Sequence, residues 1–118
     1  MEKVAIVTRM SAVLTYGVIH MRREVEILNQ LGLHARPAAE FVRCAQRFQC
    51  DVTIRRGEDQ FSAGSILEVL SANLDCGARV ELEAIGSDAS EALDSLQRLL
   101  FAFREQEGSC AEGKLRSV

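Results

Sequence analysis

One histidine of this chain stands where a helix is predicted to begin, among residues that could hold an anion. It is His34, in the stretch LGLHARP at positions 31–37. Pro37 suits the first turn of a helix, because the N–H that it lacks would have no intrahelical partner there. The free backbone N–H groups of that turn and the positive end of the helix dipole attract anions. We therefore predict a phosphate site at His34, with the backbone N–H of Ala35 and the guanidinium fork of Arg36 as ligands.

The chemistry that fits this site is transient phosphoryl transfer. A neutral imidazole nitrogen is a nucleophile near pH 7, and charge-assisted hydrogen bonds of about 1.5–3 kcal/mol each would hold the phosphoryl group without trapping it. Gly32 gives the preceding turn access to conformations that strain other residues. The alternative is that His34 only caps the helix or is merely exposed, and the Gly-x-His-x-Arg-Pro spacing argues against it. His20 has no such context, and we predict no functional role for it.

Apolar periodicity predicts the elements that position His34. Alternation predicts strands near 24–27, 50–55, 60–63 and 78–85, and helical spacing predicts helices ending near 47, starting after 65 and running from 88 to about 103. Ser65 and Glu68 form a Ser-x-x-Glu capping box at the second helix, and Ser87 and Asp88 can cap the third. The order βαββαβα indicates an α+β domain, with helices on one face of a sheet and water on the other.

Composition argues against several other classes of protein. The 118 residues carry a formal net charge of −3 without a basic run, which disfavours nucleic-acid binding. Neither metal-ligand spacing nor a glycine-rich nucleotide loop occurs, so we predict no metal, no cofactor and no free-standing enzyme. No apolar run reaches the about 20 residues that a membrane span needs, and no clear signal peptide is present. We therefore predict a cytoplasmic protein whose four cysteines are reduced.

The nine residues LGLHARPAA at 31–39 resemble the active-site signature of HPr, the histidine phosphocarrier of the bacterial phosphotransferase system. The resemblance extends from about 24 to 103 and includes the segment 65–67. It implies an open-faced β-sandwich, with a four-stranded antiparallel sheet and three helices on one face. We accordingly divide the chain into an N-terminal extension at 1–22, an HPr-like domain at 23–107 and a flexible tail at 108–118.

The resemblance also implies partners and roles. His34 would accept a phosphoryl group on Nδ1 from enzyme I, itself charged by phosphoenolpyruvate, and pass it to an enzyme IIA component, while Arg36 contacts the phosphate. Ser65 matches a regulatory site that a serine kinase phosphorylates in many bacteria. A monomer is implied. The apolar surface that would dock partners beside the histidine comprises Ala39, Ile66, Leu67 and Leu70.

Three departures from the family pattern bear on these roles. Leu31 stands where many members carry an Asn that can help orient the histidine, Gly64 replaces a common Lys, and Asn73 replaces a common Gly. Sugar uptake and a regulatory, nitrogen-type branch both remain open. A different class is an unphosphorylated docking module that uses the apolar surface alone, which would need neither His34 nor Arg36. The first twenty residues could be an added strand, a loose arm or the product of a start codon assigned too early.

Overall fold

A computed structural model of the protein describes residues 11–15 and 18–108. Segments in which apolar and polar side chains alternate form the strands, and three amphipathic segments form the helices. The strands in this part of the chain are β1 (Ser11–Thr15), β2 (Val18–Glu26), β3 (Asp51–Arg56), β4 (Asp59–Ser62) and β5 (Arg79–Ile85). The helices are α1 (Ala35–Gln46), α2 (Ile66–Ser71) and α3 (Ala89–Glu107). The predicted order of strands and helices from β2 to α3 is therefore confirmed.

The described strands form one antiparallel sheet in the order β1-β2-β5-β3-β4. β5 lies between β2 and β3, so the last strand in sequence joins the two halves of the sheet. The predicted four-stranded sheet corresponds to β2 to β5. β1 adds a fifth strand at one edge, where Ser11–Thr15 pairs with residues 18–22. Of the segment whose structure the sequence left open, residues 1–10 and 16–17 lie outside the described residues.

Apolar side chains from β2, β3 and β5 meet those of α1 and α3 on one face of the sheet. The largest fully buried members of this core include Phe41, Ile54, Leu82, Leu93 and Phe103. Burying each such side chain stabilises the fold by about 1.5–3 kcal/mol. Because the helices cover this face alone, the architecture is the open-faced α+β sandwich that the sequence predicted.

Two of the predicted helix caps differ from the structure in their partners. Ser65 is the N-cap of α2, and its hydroxyl accepts the N–H of Glu68 at 3.3 Å. The Glu68 carboxylate, however, accepts the N–H of Ser62 at 2.7 Å, so only half of the predicted capping box forms. Asp88 is the N-cap of α3 but makes no side-chain cap bond. Its carboxylate instead accepts the N–H groups of residues 49 and 50, which ties α3 to the start of β3.

The cysteines only partly agree with the prediction of reduced thiols. Cys44 and Cys50 are free and buried. Burial raises the pKa of the Cys44 thiol, and burial together with a hydrogen bond to Asp88 raises that of Cys50 to about 12. Cys76 is disulfide-bonded, so the prediction is wrong for this residue. A disulfide depends on the distance between two residues in space, which spacing along the chain does not reveal. Cys110 lies outside the described residues.

The uncovered face of the sheet carries a cluster of charges around Glu83, which is buried. His20 hydrogen-bonds its carboxylate, and the guanidinium groups of Arg22 and Arg55 each lie 3.4 Å from a carboxylate oxygen. Burial by itself raises the pKa of Glu83, but the hydrogen bond to His20 and the guanidinium groups of Arg22 and Arg55 outweigh it and lower the pKa below its ordinary 4.5. The ionised carboxylate therefore stabilises the fold.

Replacing Glu83 with Gln should lower the free energy of unfolding at pH 7 by about 1–3 kcal/mol. Because the folded-state pKa lies below the ordinary value of 4.5, this contribution is present above pH 4.5 and is lost as the pH falls through the lowered pKa. Urea unfolding from pH 7 to pH 3 should show the two stability curves converging at the acid end. Glu81→Gln, on the same face but more exposed, is the control. Stability curves that stay parallel would show that the charge of Glu83 is not the cause of the difference in stability.

In residues 11–15 and 18–108, no helix has the length and apolar character that a membrane span needs.

Candidate functional site

His34 is the N-cap residue of α1, as predicted. Its backbone is extended (φ −82°, ψ −170°), and its carbonyl accepts the N–H of Ala38 at 2.8 Å, the first bond of the helix. The His34 side chain makes no cap bond. The N–H groups of Ala35 and Arg36 precede that first bond and so have no intrahelical partner. The helix therefore presents two backbone donors and its positive dipole end next to an imidazole.

The turn before His34 depends on Gly32. This residue has a φ of +68°, and a Cβ placed on it would lie 2.5 Å from the carbonyl oxygen of Leu74 and 2.8 Å from the Cα of Asp75. The neighbouring Leu33 donates its N–H to that same Leu74 oxygen at 2.9 Å. The loop that carries His34 therefore lies directly against the segment between α2 and β5, with no room for a side chain.

Gly32→Ala should destabilise the protein and displace the histidine loop. An alanine in the left-handed region costs about 1–2 kcal/mol, and the close contacts should add about 1–3 kcal/mol. Gly57→Ala is the matched control, because Gly57 has a similar φ of +62° with nothing within 4 Å of the added Cβ. We expect a larger loss of unfolding free energy, and a change in the His34 ring resonances, for Gly32→Ala only. Equal losses of unfolding free energy in the two variants would show that the histidine loop can move away from Leu74 and Asp75 at no cost.

The imidazole of His34 is exposed, with 41% of its side-chain surface accessible. Its Nε2 lies 3.1 Å from Oε2 of Glu107, the last residue of α3. Among the described residues, nothing hydrogen-bonds the other ring nitrogen, Nδ1. One ring nitrogen is thus engaged by a carboxylate, while the other makes no hydrogen bond to the described residues and belongs to an exposed ring.

The Arg36 side chain makes no hydrogen bond to the His34 ring. Its side chain is 83% exposed, and its Nε lies 3.7 Å from a carboxylate oxygen of Glu40, one turn along α1. Exposed ion pairs of this kind contribute about 0–1 kcal/mol. The guanidinium can therefore leave Glu40 for a stronger anion at little cost.

The residues predicted to dock partners differ in their exposure. Leu67 is 77% exposed and Leu70 is also exposed, whereas Ala39 and Ile66 are only partly accessible. Their helices, α1 and α2, pack against each other. Leu31, in the loop before His34, adds a further exposed apolar side chain that the prediction did not include.

Two residues of the site, Asn29 and Glu107, were missed by the sequence analysis. Asn29 is fully buried, and its Nδ2 donates to the carbonyl of Gly32 at 2.7 Å and to Oε1 of Glu107 at 2.9 Å. A polar side chain between a strand and a glycine turn is a weak signal for such a role. Nothing in the sequence connects Glu107 with a histidine 73 positions earlier.

An open-faced α+β sandwich with an exposed histidine at the N-terminus of its first helix defines the histidine phosphocarrier class of protein. The family model described as "PTS HPr component phosphorylation site" matches residues 21–101. The chain is 41% identical to the phosphocarrier protein HPr of Pseudomonas putida, over 71% of this chain and 94% of that protein. It is 39% identical to the phosphocarrier protein NPr of Shewanella violacea, over 70% of this chain and 90% of that protein.

Solved structures agree with this assignment. The crystal structure of a phosphocarrier protein HPr from Bacillus anthracis superposes with a TM-score of 0.65 at 35% sequence identity, covering 68% of this chain and 95% of that one. The chain therefore belongs to the HPr family of the phosphotransferase system.

Proposed function

We propose that this protein accepts a phosphoryl group on Nδ1 of His34 from phosphorylated enzyme I and passes it to an enzyme IIA component. The observation that carries the proposal is the state of the ring: it is exposed at the helix end, Nε2 is engaged by Glu107, and Nδ1 is unengaged by the described residues. Membership of the family supports partners within the phosphotransferase system. Relatives of both the HPr and the NPr kind match the chain, so sugar uptake and regulation are both compatible with the proposal.

Arg36 and the helix end would act on the transferred group. A phosphoryl group on His34 carries about two negative charges, more than the single charge of the Glu40 carboxylate. It would therefore draw the Arg36 guanidinium away from Glu40, because the exposed ion pair between Arg36 and Glu40 contributes little to stability. The backbone N–H of Ala35 would donate a further bond. These ligands are strongest when the phosphate charge is present and so favour the transferred state over the empty one.

The exposed leucines are proposed to dock the partners. Leu67 and Leu70 on α2 present apolar surface beside the histidine helix, and burying such surface is a main source of protein–protein affinity. Leu31 would extend this surface up to His34 itself. The partly buried Ala39 and Ile66 would contribute through shape more than through area.

Ser65 is proposed as a second, regulatory phosphorylation site. Its hydroxyl lies at the N-terminus of α2, where a phosphate is electrostatically favoured. The same hydroxyl accepts the N–H of Glu68, whose carboxylate would repel an added phosphate. A serine kinase and a phosphorylase would be the further partners. Labelling by such a kinase, with Ser65→Ala as the control, tests this part of the proposal.

The experiment that tests the main proposal is phosphorylation by cognate enzyme I, phosphoenolpyruvate and Mg²⁺. Wild-type protein should gain one phosphoryl group that is labile in acid and stable in base. Removal of the His34 imidazole should abolish that gain.

A further inference from the structure

The carboxylate of Glu107 bridges the active-site histidine and a buried amide. Oε2 lies 3.1 Å from Nε2 of His34, and Oε1 accepts a hydrogen bond from Nδ2 of Asn29 at 2.9 Å. Only 20% of the Glu107 side chain is exposed. Both oxygens of the carboxylate are therefore engaged, which restrains its orientation much more than a single surface ion pair would.

Backbone contacts tie the end of α3 to the same loop. The carbonyl of Gly108, the residue after Glu107, accepts the N–H of Gln30 at 2.9 Å. Asn29 in turn donates to the carbonyl of Gly32 at 2.7 Å. The buried Asn29 side chain and one backbone hydrogen bond thus connect the end of α3 to the histidine loop. The fold therefore sets the position of the Glu107 carboxylate relative to His34.

We propose that Glu107 is a positioning residue that holds His34 in the tautomer with hydrogen on Nε2 and a free lone pair on Nδ1. An ionised carboxylate has no hydrogen to donate and can only accept hydrogen bonds. The contact therefore requires an N–H on Nε2 of His34. This inference rests on the proposed function, since tautomer control matters only if Nδ1 is the acceptor. The polar contact to the ring comes from the end of α3.

The transfer step explains why a carboxylate suits this position. The Nδ1 lone pair forms a bond to the phosphorus of the phosphorylated donor, and the bond between phosphorus and donor breaks with its electron pair remaining on the donor. The ring then carries a positive charge, with the phosphoryl group on Nδ1 and the hydrogen still on Nε2. Onward transfer returns the electron pair of the Nδ1–phosphorus bond to the ring. No proton moves, and the charge that develops faces the Glu107 carboxylate, whose hydrogen bond strengthens as the ring becomes cationic.

The test compares Glu107→Ala and Glu107→Gln with Glu105→Ala and Glu105→Gln. Glu105 lies on the last turn of the same helix, is exposed, and pairs only with Arg104 among the described residues, so its variants make the same change of charge away from the ring. Nitrogen chemical shifts of the unphosphorylated His34 ring should report a dominant Nε2–H tautomer in wild type and a mixture in the Glu107 variants. The rate of phosphorylation by enzyme I should fall about tenfold or more in Glu107→Ala and less in Glu107→Gln, whose amide oxygen can still accept.

The outcomes separate this inference from the function on which it rests. Wild-type rates and an unchanged tautomer in both Glu107 variants would overturn the inference while the phosphocarrier function stands. Equal losses in the Glu105 and Glu107 variants would also overturn it, because they would indicate a general effect of charge. A wild-type protein that takes no label from cognate enzyme I would refute the function and, with it, a role for Glu107 in transfer. The chemical shifts would then still decide whether Glu107 sets the tautomer.

Discussion

His34→Ala should lose all phosphorylation by enzyme I, whereas His20→Gln should be phosphorylated as fast as wild type. The reason is that covalent transfer requires the imidazole nitrogen itself, and no backbone donor can replace a nucleophile. His20 lies on β2 and bonds Glu83 on the uncovered face of the sheet, so it is committed to a structural contact. Mass spectrometry after incubation with phosphoenolpyruvate, Mg²⁺ and cognate enzyme I would measure the result.

Both histidine variants need a check of folding. His34 is exposed at a helix end and makes no cap bond, so its replacement by Ala should leave the circular dichroism spectrum unchanged. A label that persists in His34→Ala would place the acceptor elsewhere. A wild-type protein that stays unlabelled would favour a docking module that uses the exposed leucines without phosphorylation.

Arg36→Ala should slow phosphoryl transfer by about one to two orders of magnitude. This follows if the guanidinium contributes a charge-assisted contact of about 1.5–3 kcal/mol to the transferred phosphate, since about 1.4 kcal/mol corresponds to a factor of ten. Stability should hardly change, because the side chain is 83% exposed and its only described ion pair, with Glu40, is a surface one. Single-turnover transfer from phosphorylated enzyme I, together with urea unfolding, would measure both quantities.

Two further variants test whether Arg36 acts on the transferred phosphate. Arg36→Lys keeps the charge but loses the planar fork, and should recover only part of the rate. Glu40→Gln removes the carboxylate that holds Arg36 in the unphosphorylated state, and should leave the rate equal to or slightly above that of wild type. If Arg36→Ala unfolds the protein, or if Glu40→Gln is as slow as Arg36→Ala, the side chain acts on the structure of α1 and not on phosphate.

Much of the fold follows from short-range patterns along the chain. The alternation in β3 and β5 and the helical spacing in α1 and α3 each require one buried face, and neighbouring residues alone establish which face that is. The position of His34 at a helix start was readable for the same reason, because Pro37 and the apolar residues after it define the first turn. The contacts of caps were less predictable. Glu68 and Asp88 have the residue type and the position of capping residues. Each carboxylate nevertheless accepts a hydrogen bond from a residue outside its own helix.

Other features depend on segments that are distant in sequence. The strand β1 pairs through backbone groups, which any sequence can supply, so its residues carried no clear signal. The disulfide of Cys76 and the burial of Glu83 among positive groups likewise arise only when separate segments are brought together. Such contacts are set by packing across the sheet and between elements, and not by local preference.

The proposed active site combines both kinds of information. The proposed nucleophile, the helix end that faces it and the glycine that shapes its turn lie within a few residues of each other, and their identities alone were enough to predict a phosphoryl carrier. The contact of the imidazole with Glu107, and that of Glu107 with Asn29, form only because α3 packs across the sheet and ends beside the histidine loop. A contact between residues 73 positions apart is set by the length and packing of a helix, and no local pattern encodes it.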